Sequence, residues 1–457
     1  MTYADRRDLR ERLYRLYNTR CVGDTEYNNE AIVKRIVNLR IEMAQMLGYR
    51  NYADYVLKHR MAQDVAHVDN LLNELIANYK PQALKEVEAV RQLARETEGP
   101  DFELMPWDFS YYAHKLQVRE YNLDAEMLRP YFELSRVQNG IFGLAHRLYG
   151  ITFRENADIP VYHPSVKAYE VYDVDGSFLA VLYVDFHPRS SKQGGAWMTN
   201  YREESDYVNR PHVSLTMNLT QPTADKPALL TLGEVETFLH EFGHALHSIF
   251  ANTKYESLSG TNVYWDFVEL PSQFMENFAI EKDFLKTFAV HYQTGEPIPD
   301  ELIERIERSR NFNVAYACMR QVSFGLLDMA FHTLEQPFTG DVAEFERNAW
   351  SDAVLLPACD GCCMVVQFGH IMSGGYAAGY YSYKWAEVLD ADAFSVFKQT
   401  GIFNTDTARS FRDNILSQGG TCPPMELYKR FRGQEPTIDA LLVRNGLRDA
   451  SVNQETV

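Results

Sequence analysis

The first third of the chain has apolar residues that recur three and four positions apart. This spacing extends over residues 1–150 and is broken by polar stretches near Gly23, Gly48 and Gly99. Residues at this spacing lie on one face of an α-helix, and glycine-containing breaks separate one helix from the next. The pattern therefore predicts an N-terminal part made of long helices.

Residues 151–225 change to a period of two. Runs rich in β-branched and aromatic residues begin at Tyr169 and Phe178 on either side of the Asp-Gly pair at 175–176, and a third run begins at Val213. An Asp-Gly pair between two such runs is a strong hairpin signal. We expect a small antiparallel sheet here.

Helical spacing returns in residues 226–457, so the fold class is mostly α. Thr231 and Glu234 form the Ser/Thr-x-x-Glu pattern of a capping box, which predicts that a helix begins there. Its apolar residues then recur on one stripe that is expected to face the core: Val235, Phe238, Leu239, Phe242, Leu246 and Ile249.

A second face of this helix carries the first functional signal. Residues 240–244 read His-Glu-Phe-Gly-His, and two histidines four positions apart can converge on one metal ion from adjacent turns. Glu241 stands beside the first ligand, placed to take a proton from a metal-bound water. The pattern indicates a zinc peptidase with one Zn²⁺ per chain. Glu236, one turn before His240, is a candidate to support that ligand, and His247 is interpreted as a packing histidine.

A catalytic zinc site needs a third protein ligand, and four acids downstream are candidates by distance: Glu256, Asp266, Glu269 and Glu276. Pro271 predicts a helix that begins within about one turn of it, so Glu269 is expected in a first turn, where a carboxylate is favoured. Glu276 lies two turns farther along the same face and is expected to support the site. Asp266 is expected to cap a helix.

Composition narrows the possible partners. A formal net charge of −18 argues against nucleic acid, and an acidic surface of this kind is ordinary for a soluble protein. The chain has no apolar run of about 18 residues and begins with charged residues, so we expect no membrane association and a cytoplasmic location. Cys359, Cys362 and Cys363 allow a metal or redox role as an alternative, although partly buried, reduced thiols are the simpler interpretation.

Six segments of the chain together form a recognisable set. They begin at Gly194 (Gly-Gly-Ala-Trp), Phe238 (Phe-Leu-His-Glu-Phe-Gly-His), Ser259 (Ser-Gly-Thr-Asn), Asp266 (Asp-Phe-Val-Glu-Leu-Pro), Phe368 (Phe-Gly-His) and Gly374 (Gly-Gly-Tyr-Ala-Ala-Gly-Tyr-Tyr-Ser-Tyr). With these segments the chain resembles the thimet-oligopeptidase family of zinc peptidases, within it the peptidyl-dipeptidase (dipeptidyl carboxypeptidase) branch. The resemblance implies zinc ligands His240, His244 and Glu269 with Glu241 as general base, in a two-lobed helical, zincin-type (gluzincin) fold with a deep channel for short unstructured peptides.

The same resemblance gives the segment from His370 to Tyr383 a part in catalysis. It implies a mobile loop over the peptide, in which His370 and Tyr383 reach the scissile carbonyl and stabilise the oxyanion. Substrate contacts are assigned to Tyr376, Tyr380, Gly374 and Gly375.

Two functional alternatives stay open at this point. An oligopeptide endopeptidase would use the same chemistry without capturing a free C-terminal carboxylate. Members of the family usually carry a further helical region ahead of the first residue of this chain, so a shortened, non-catalytic chain that binds zinc or peptide is the other alternative. The oligomeric state is not predicted.

Overall fold

Helices dominate the computed structural model, which describes residues 1–206 and 209–449. This confirms the mostly α fold. Nineteen α-helices lie within the described residues, and in chain order they are α1 Arg7–Asn18, α2 Glu30–Met46, α3 Tyr52–Leu57, α4 Val65–Glu98, α5 Pro106–Tyr121, α6 Ala125–Leu128, α7 Leu134–Tyr149, α8 Leu232–Ile249, α9 Trp265–Val268, α10 Leu270–Glu276, α11 Lys282–Phe288, α12 Asp300–Ser309, α13 Val314–His332, α14 Val342–Ala349, α15 Gly369–Met372, α16 Ser382–Thr400, α17 Thr405–Phe411, α18 Pro424–Arg432 and α19 Asp439–Arg444.

The sheet lies between α7 and α8 in the sequence, where the period of two predicted it. Its five strands are β1 Thr152–Glu155, β2 Lys167–Tyr172, β3 Phe178–Asp185, β4 Trp197–Arg202 and β5 His212–Thr216. They are hydrogen-bonded in the order β1-β2-β3-β5-β4.

One pairing in this sheet corrects the sequence-based expectation. Three of the four pairs are antiparallel, but β3 and β5 run parallel, with Val181 opposite His212. After β3 the chain first forms the edge strand β4 and then returns to form β5 between β3 and β4. Since β5 is antiparallel to β4, it runs in the same direction as β3. The sheet is therefore mixed. Burial along all of β3 except Phe178 agrees with its central place in the sheet.

Contacts between Cα atoms divide the chain into two compact units, each assembled from separate stretches. The first unit contains Met1–Asn122, Ser309–Trp385 and residues 442–449; the second contains Leu123–Arg308 and Ala386–Leu441. The deep channel implied by the resemblance stays a prediction.

The first unit is built on two long helices. Helix α4 buries a continuous stripe that includes Leu72, Leu75 and Tyr79, and α13 packs along it. Gly325 of α13 makes room for this contact, because a Cβ atom there would lie 3.1 Å from the Leu72 side chain. Asp64 begins α4 by accepting a hydrogen bond from the His67 backbone N–H at 3.0 Å.

The second unit contains the sheet and α8. The predicted capping box is present: the Thr231 hydroxyl accepts from the Glu234 N–H at 3.1 Å, and the Glu234 carboxylate accepts from the Thr231 N–H at 2.8 Å. All six apolar residues predicted to face the core are fully buried. This packing fixes the direction in which the opposite face of α8 points.

Candidate metal centre

Three side chains of the second unit meet at one point. The Nε2 atoms of His240 and His244 lie 3.3 Å and 3.1 Å from the same carboxylate oxygen of Glu269, Oε2. Within the described residues, these three form the one cluster of metal-ligand type. Of the four acids left open by the sequence, only Glu269 reaches the Nε2 atoms of both histidines.

The spacing of these atoms fits a zinc ion. Ligands bound tetrahedrally at about 2.0 to 2.1 Å are separated from one another by roughly 3.3 to 3.4 Å, close to the two histidine-to-carboxylate distances. Two neutral imidazoles and one carboxylate are also a donor set that zinc peptidases use. The residues present therefore fit the metal that the sequence pattern predicts.

Glu269 is held in place by the start of α10. It lies between α9 and α10 as the N-cap residue of α10, and Pro271 follows in the first turn. The predicted helix start is confirmed, with Glu269 just before the first turn rather than within it. The Ser272 hydroxyl donates to Glu269 Oε2 at 2.8 Å. Burial alone would raise the pKa of Glu269, but nearby His244 and hydrogen bonds from both histidines hold that pKa well below its usual value.

Glu276 orients the first histidine. Its Oε1 atom lies 2.6 Å from Nδ1 of His240, the nitrogen that faces away from the predicted metal. Burial acts to lower the pKa of His240, but the hydrogen bonds to Glu269 and Glu276 raise it well above its usual value. A carboxylate in this position fixes the ring tautomer, so that Nε2 is the atom presented to a metal.

Glu241 is buried beside the histidines. Its side chain is 5% exposed, and its Oε2 atom has no hydrogen-bond partner among the described residues. Burial raises the pKa of this carboxyl. A buried carboxylate whose oxygen is not engaged by the protein is suited to bind and deprotonate a water molecule.

The other residues singled out by the sequence lie elsewhere in the second unit. Glu236 is half-buried on α8 and makes no hydrogen bond to His240 within the described residues; burial, with Glu276 nearby, raises its pKa to about 7. His247 is fully buried, which lowers its pKa to about 3, as expected of a packing histidine. Asp266 does not begin a helix as expected, since Tyr264 caps α9 and Asp266 lies in its first turn. Glu256 lies outside the cluster.

Sequence reasoning did not assign a role to Gly243. A Cβ atom at this position of α8 would lie 2.3 Å from the carbonyl oxygen of Pro271 and 2.6 Å from Cα of Ser272. Helix α8 thus touches the backbone of α10 directly, and this approach brings Glu269 within reach of the two histidines. The glycine inside the His-Glu-Phe-Gly-His sequence was the available signal, because glycine is unfavourable within a helix unless packing requires it.

Gly243→Ala is expected to separate α8 from α10. The added methyl group cannot be accommodated against a backbone carbonyl, so we expect a loss of about 1–3 kcal/mol in the free energy of unfolding together with weaker zinc binding. Chemical denaturation and zinc titration measure the two effects. Gly233→Ala is the matched control on the same helix, since the nearest atom to a Cβ there is 4.0 Å away; equal losses in both variants would contradict the packing argument.

The residues of the predicted loop lie in the first unit. The rings of Tyr376 and Tyr383 stack at 4.8 Å, Tyr380 lies 5.2 Å from Tyr383, and His370 is 5.9 Å from both Tyr376 and Tyr380. His370, Gly374 and Gly375 are exposed, whereas Tyr380 is buried. The four aromatic side chains form one cluster, and their roles toward a substrate are proposals.

The cysteines give little support to thiol chemistry. Cys363 is buried and Cys359 and Cys362 are half-buried, and all three are free thiols. Burial raises the pKa of both Cys362 and Cys363 to about 12, which disfavours the thiolate that redox or metal-binding chemistry requires. In the described ranges, no helix is both long and apolar enough to cross a membrane.

Known proteins resemble this chain over most of its length. The model of peptidase family M3 matches residues 1–447. Oligopeptidase A of Escherichia coli (strain K12) is 42% identical over 98% of this chain and 67% of its own length, and dipeptidyl carboxypeptidase of the same strain is 38% identical over 97% of this chain and 66% of its own. The chain thus spans about two thirds of the length of these relatives.

Solved structures share the fold at low sequence identity. An M32 carboxypeptidase from Deinococcus radiodurans R1 covers 91% of this chain and 74% of its own, with a TM-score of 0.56 and 15% identity. PZ peptidase A with an inhibitor covers 99% of this chain and 68% of its own, with a TM-score of 0.57 and 16% identity. These similarities concern the fold alone.

Proposed function

The chain belongs to peptidase family M3, and from that premise we propose that it is a zinc-dependent peptidase of short, unstructured peptides. The observation that carries the proposal is the convergence of His240, His244 and Glu269, with the buried carboxylate of Glu241 beside them. The family match and the relatives support a metallopeptidase; the identity of the metal and the cleavage mode are our inference.

Each side chain of the site has a part in hydrolysis. His240, His244 and Glu269 would hold a zinc ion, which would supply a Lewis acid for the scissile carbonyl and for the attacking water. Glu241 takes the proton from that water and delivers it to the leaving amine. Its buried, unengaged Oε2 atom and its raised pKa suit both transfers, because a base with a pKa closer to neutrality also returns its proton readily.

We assign stabilisation of the oxyanion to Tyr383 and His370. A phenol or imidazole donor aimed at the developing negative charge lowers the barrier only in the transition state, and one such donor contributes about 3 kcal/mol in other enzymes. Tyr376, Tyr380 and the exposed glycines Gly374 and Gly375 are assigned to contact with the peptide.

Tyr383→Phe is expected to lower kcat by roughly 10²-fold or more with a much smaller change in KM, because the lost hydrogen bond forms only as charge develops. The aromatic ring is retained, so packing with Tyr376 and Tyr380 should persist. Steady-state kinetics on a fluorogenic peptide measures the effect. Tyr381→Phe is the control from the same tyrosine run, and equal kcat losses in the two variants would argue that the loop only lines the substrate site.

We propose release of dipeptides from a free C-terminus as the cleavage mode. Cleavage inside oligopeptides is the second candidate, supported by the 42% identity to oligopeptidase A, compared with 38% to dipeptidyl carboxypeptidase. Matched peptides with free and amidated C-termini separate the two. Loss of cleavage on amidation, with dipeptides as the products of the free form, supports the first; equal cleavage of both forms supports the second.

The basic activity is tested by metal analysis together with mass-spectrometric digestion of a mixed peptide pool. We expect one zinc ion per chain and cleavage of short peptides that stops when the metal is removed. Zinc binding without cleavage of any peptide would instead favour the alternative of a non-catalytic chain.

A further inference from the structure

Asp328 of α13 holds the backbone of the loop segment at one end. Its carboxylate accepts hydrogen bonds from three successive backbone N–H groups: that of Ala378 at 2.9 Å, that of Gly379 at 2.8 Å and that of Tyr380 at 2.8 Å. Asp328 itself is fully buried. A buried carboxylate requires such donors, because an unpaired charge in the interior is strongly unfavourable.

The three N–H groups point to one side because of the backbone at Ala378. Its φ of 51° lies in the left-handed region, which a residue with a Cβ atom rarely adopts. Alternation of right- and left-handed residues turns successive N–H groups into a concave anion-binding nest. Here the anion is a side chain of the same protein, so the strained backbone and the buried charge stabilise each other.

Arg40 holds the other end of the segment. Its guanidinium group donates to the carbonyl oxygen of Ile371 at 2.7 Å and to that of Met372 at 2.9 Å. His332 joins the two anchors, with Nδ1 lying 2.8 Å from the Asp328 carboxylate and Nε2 lying 2.9 Å from Arg40. Arginine can only donate, so Nε2 of His332 accepts and the ring proton resides on Nδ1, from which it is donated to Asp328.

One face of α13 supplies a third contact. Gln321 and Asp328 are seven residues apart and therefore lie on the same side of the helix. The Gln321 Oε1 atom accepts a hydrogen bond from the Tyr380 hydroxyl at 2.9 Å. Tyr380 is thus fixed at both its backbone N–H and its hydroxyl, and its ring packs against Tyr383.

We propose that Asp328, linked through His332 to Arg40, is a positioning residue that fixes Tyr380 and Tyr383 for the reaction. This inference rests on the proposed function, because it concerns the segment assigned to the oxyanion and the peptide.

The test replaces Asp328 by Asn in the full chain. Asp328→Asn keeps the shape of the side chain but removes the charge from the nest. In hydrogen exchange, we expect the amides of residues 378–380 to exchange roughly 10- to 100-fold faster, as loss of charge-assisted hydrogen bonds implies. In kinetics, we expect kcat to fall by about 10- to 100-fold with unchanged zinc content, because the donors are displaced without loss of the metal.

Glu86→Gln is the matched control. Like Asp328, the Glu86 carboxylate accepts hydrogen bonds from two successive backbone N–H groups of the first unit, those of Ala315 and Tyr316. These two residues lie outside the segment from His370 to Tyr383. Should Asp328→Asn fail to fold, Asp328→Glu carries the same expectations, since the longer side chain keeps the charge but cannot place its carboxylate against the same three N–H groups.

Unchanged exchange at residues 378–380 overturns the anchor, and a kcat loss no greater than that of Glu86→Gln overturns the positioning role. The exchange experiment does not depend on hydrolysis. A wild-type chain that cleaves no peptide therefore refutes the proposed function, and with it the kinetic part of this inference, while exchange still decides whether Asp328 holds the loop.

Discussion

Glu241→Gln is expected to lower kcat by about 10²- to 10⁴-fold, the range that a general base contributes, while the chain still binds one zinc ion. Glutamine has the shape of glutamate but cannot take a proton from water. The proposed ligands His240, His244 and Glu269 should be undisturbed, because the Oε2 atom of Glu241 makes no hydrogen bond to any described residue. Metal analysis and steady-state kinetics on the same preparation separate the two properties.

The control for this experiment is Glu256→Gln, which removes an acid that lies outside the metal cluster. It should retain wild-type kcat and zinc content. A Glu241→Gln chain with turnover within tenfold of wild type would show that another group deprotonates the water, and a chain that loses its zinc would show that the substitution disturbs the ligands.

Removal of the third ligand should have the second large effect. Loss of a residue that only supports a ligand weakens metal binding by about 10- to 100-fold. Glu269→Gln changes a proposed ligand itself, so we expect it to weaken zinc binding by more than this. A neutral amide oxygen replaces a carboxylate that meets both histidines at 3.3 Å and 3.1 Å. Competition with a chelator of known affinity measures the change.

A graded series makes this prediction specific. Glu276→Gln leaves all three ligands in place but weakens the hydrogen bond that orients His240, so its zinc affinity should fall by about 10- to 100-fold. Glu256→Gln should bind zinc like the wild type. Zinc affinity that is kept in Glu269→Gln but lost in Glu256→Gln would mean that the third ligand has been assigned to the wrong acid.

Structural features that depend on residues close together in the sequence were predictable from the sequence alone. The start of α8, its buried stripe and the common face of His240 and His244 follow from residues within a few turns of one another. The hairpin of β2 and β3 was predicted in the same way. An Asp-Gly hairpin turn usually has positive φ at both residues. In the turn between β2 and β3, only Gly176 has a positive φ, of 83°, as in a turn with a β-bulge.

Other features depend on parts of the chain that are distant in sequence. Four acids were candidates for the third ligand by distance in the sequence, and the place of Glu269 depends on the contact of α8 with α10 at Gly243, whose partner segment Gly243 alone does not identify. The parallel pairing of β3 with β5 depends on where β4 is placed in the sheet. The anchoring of Ala378 by Asp328 joins residues 50 positions apart.

The sequence by itself therefore determined the helical class, the site of the small sheet and the pair of histidines, because helix periodicity, capping and turn preference act over a few residues. Only the tertiary structure placed one of the four candidate carboxylates, that of Glu269, against both histidines and identified the groups that hold the loop. Those choices depend on how closely two backbones can approach and on which buried charge finds donors, and both are properties of packing between distant segments.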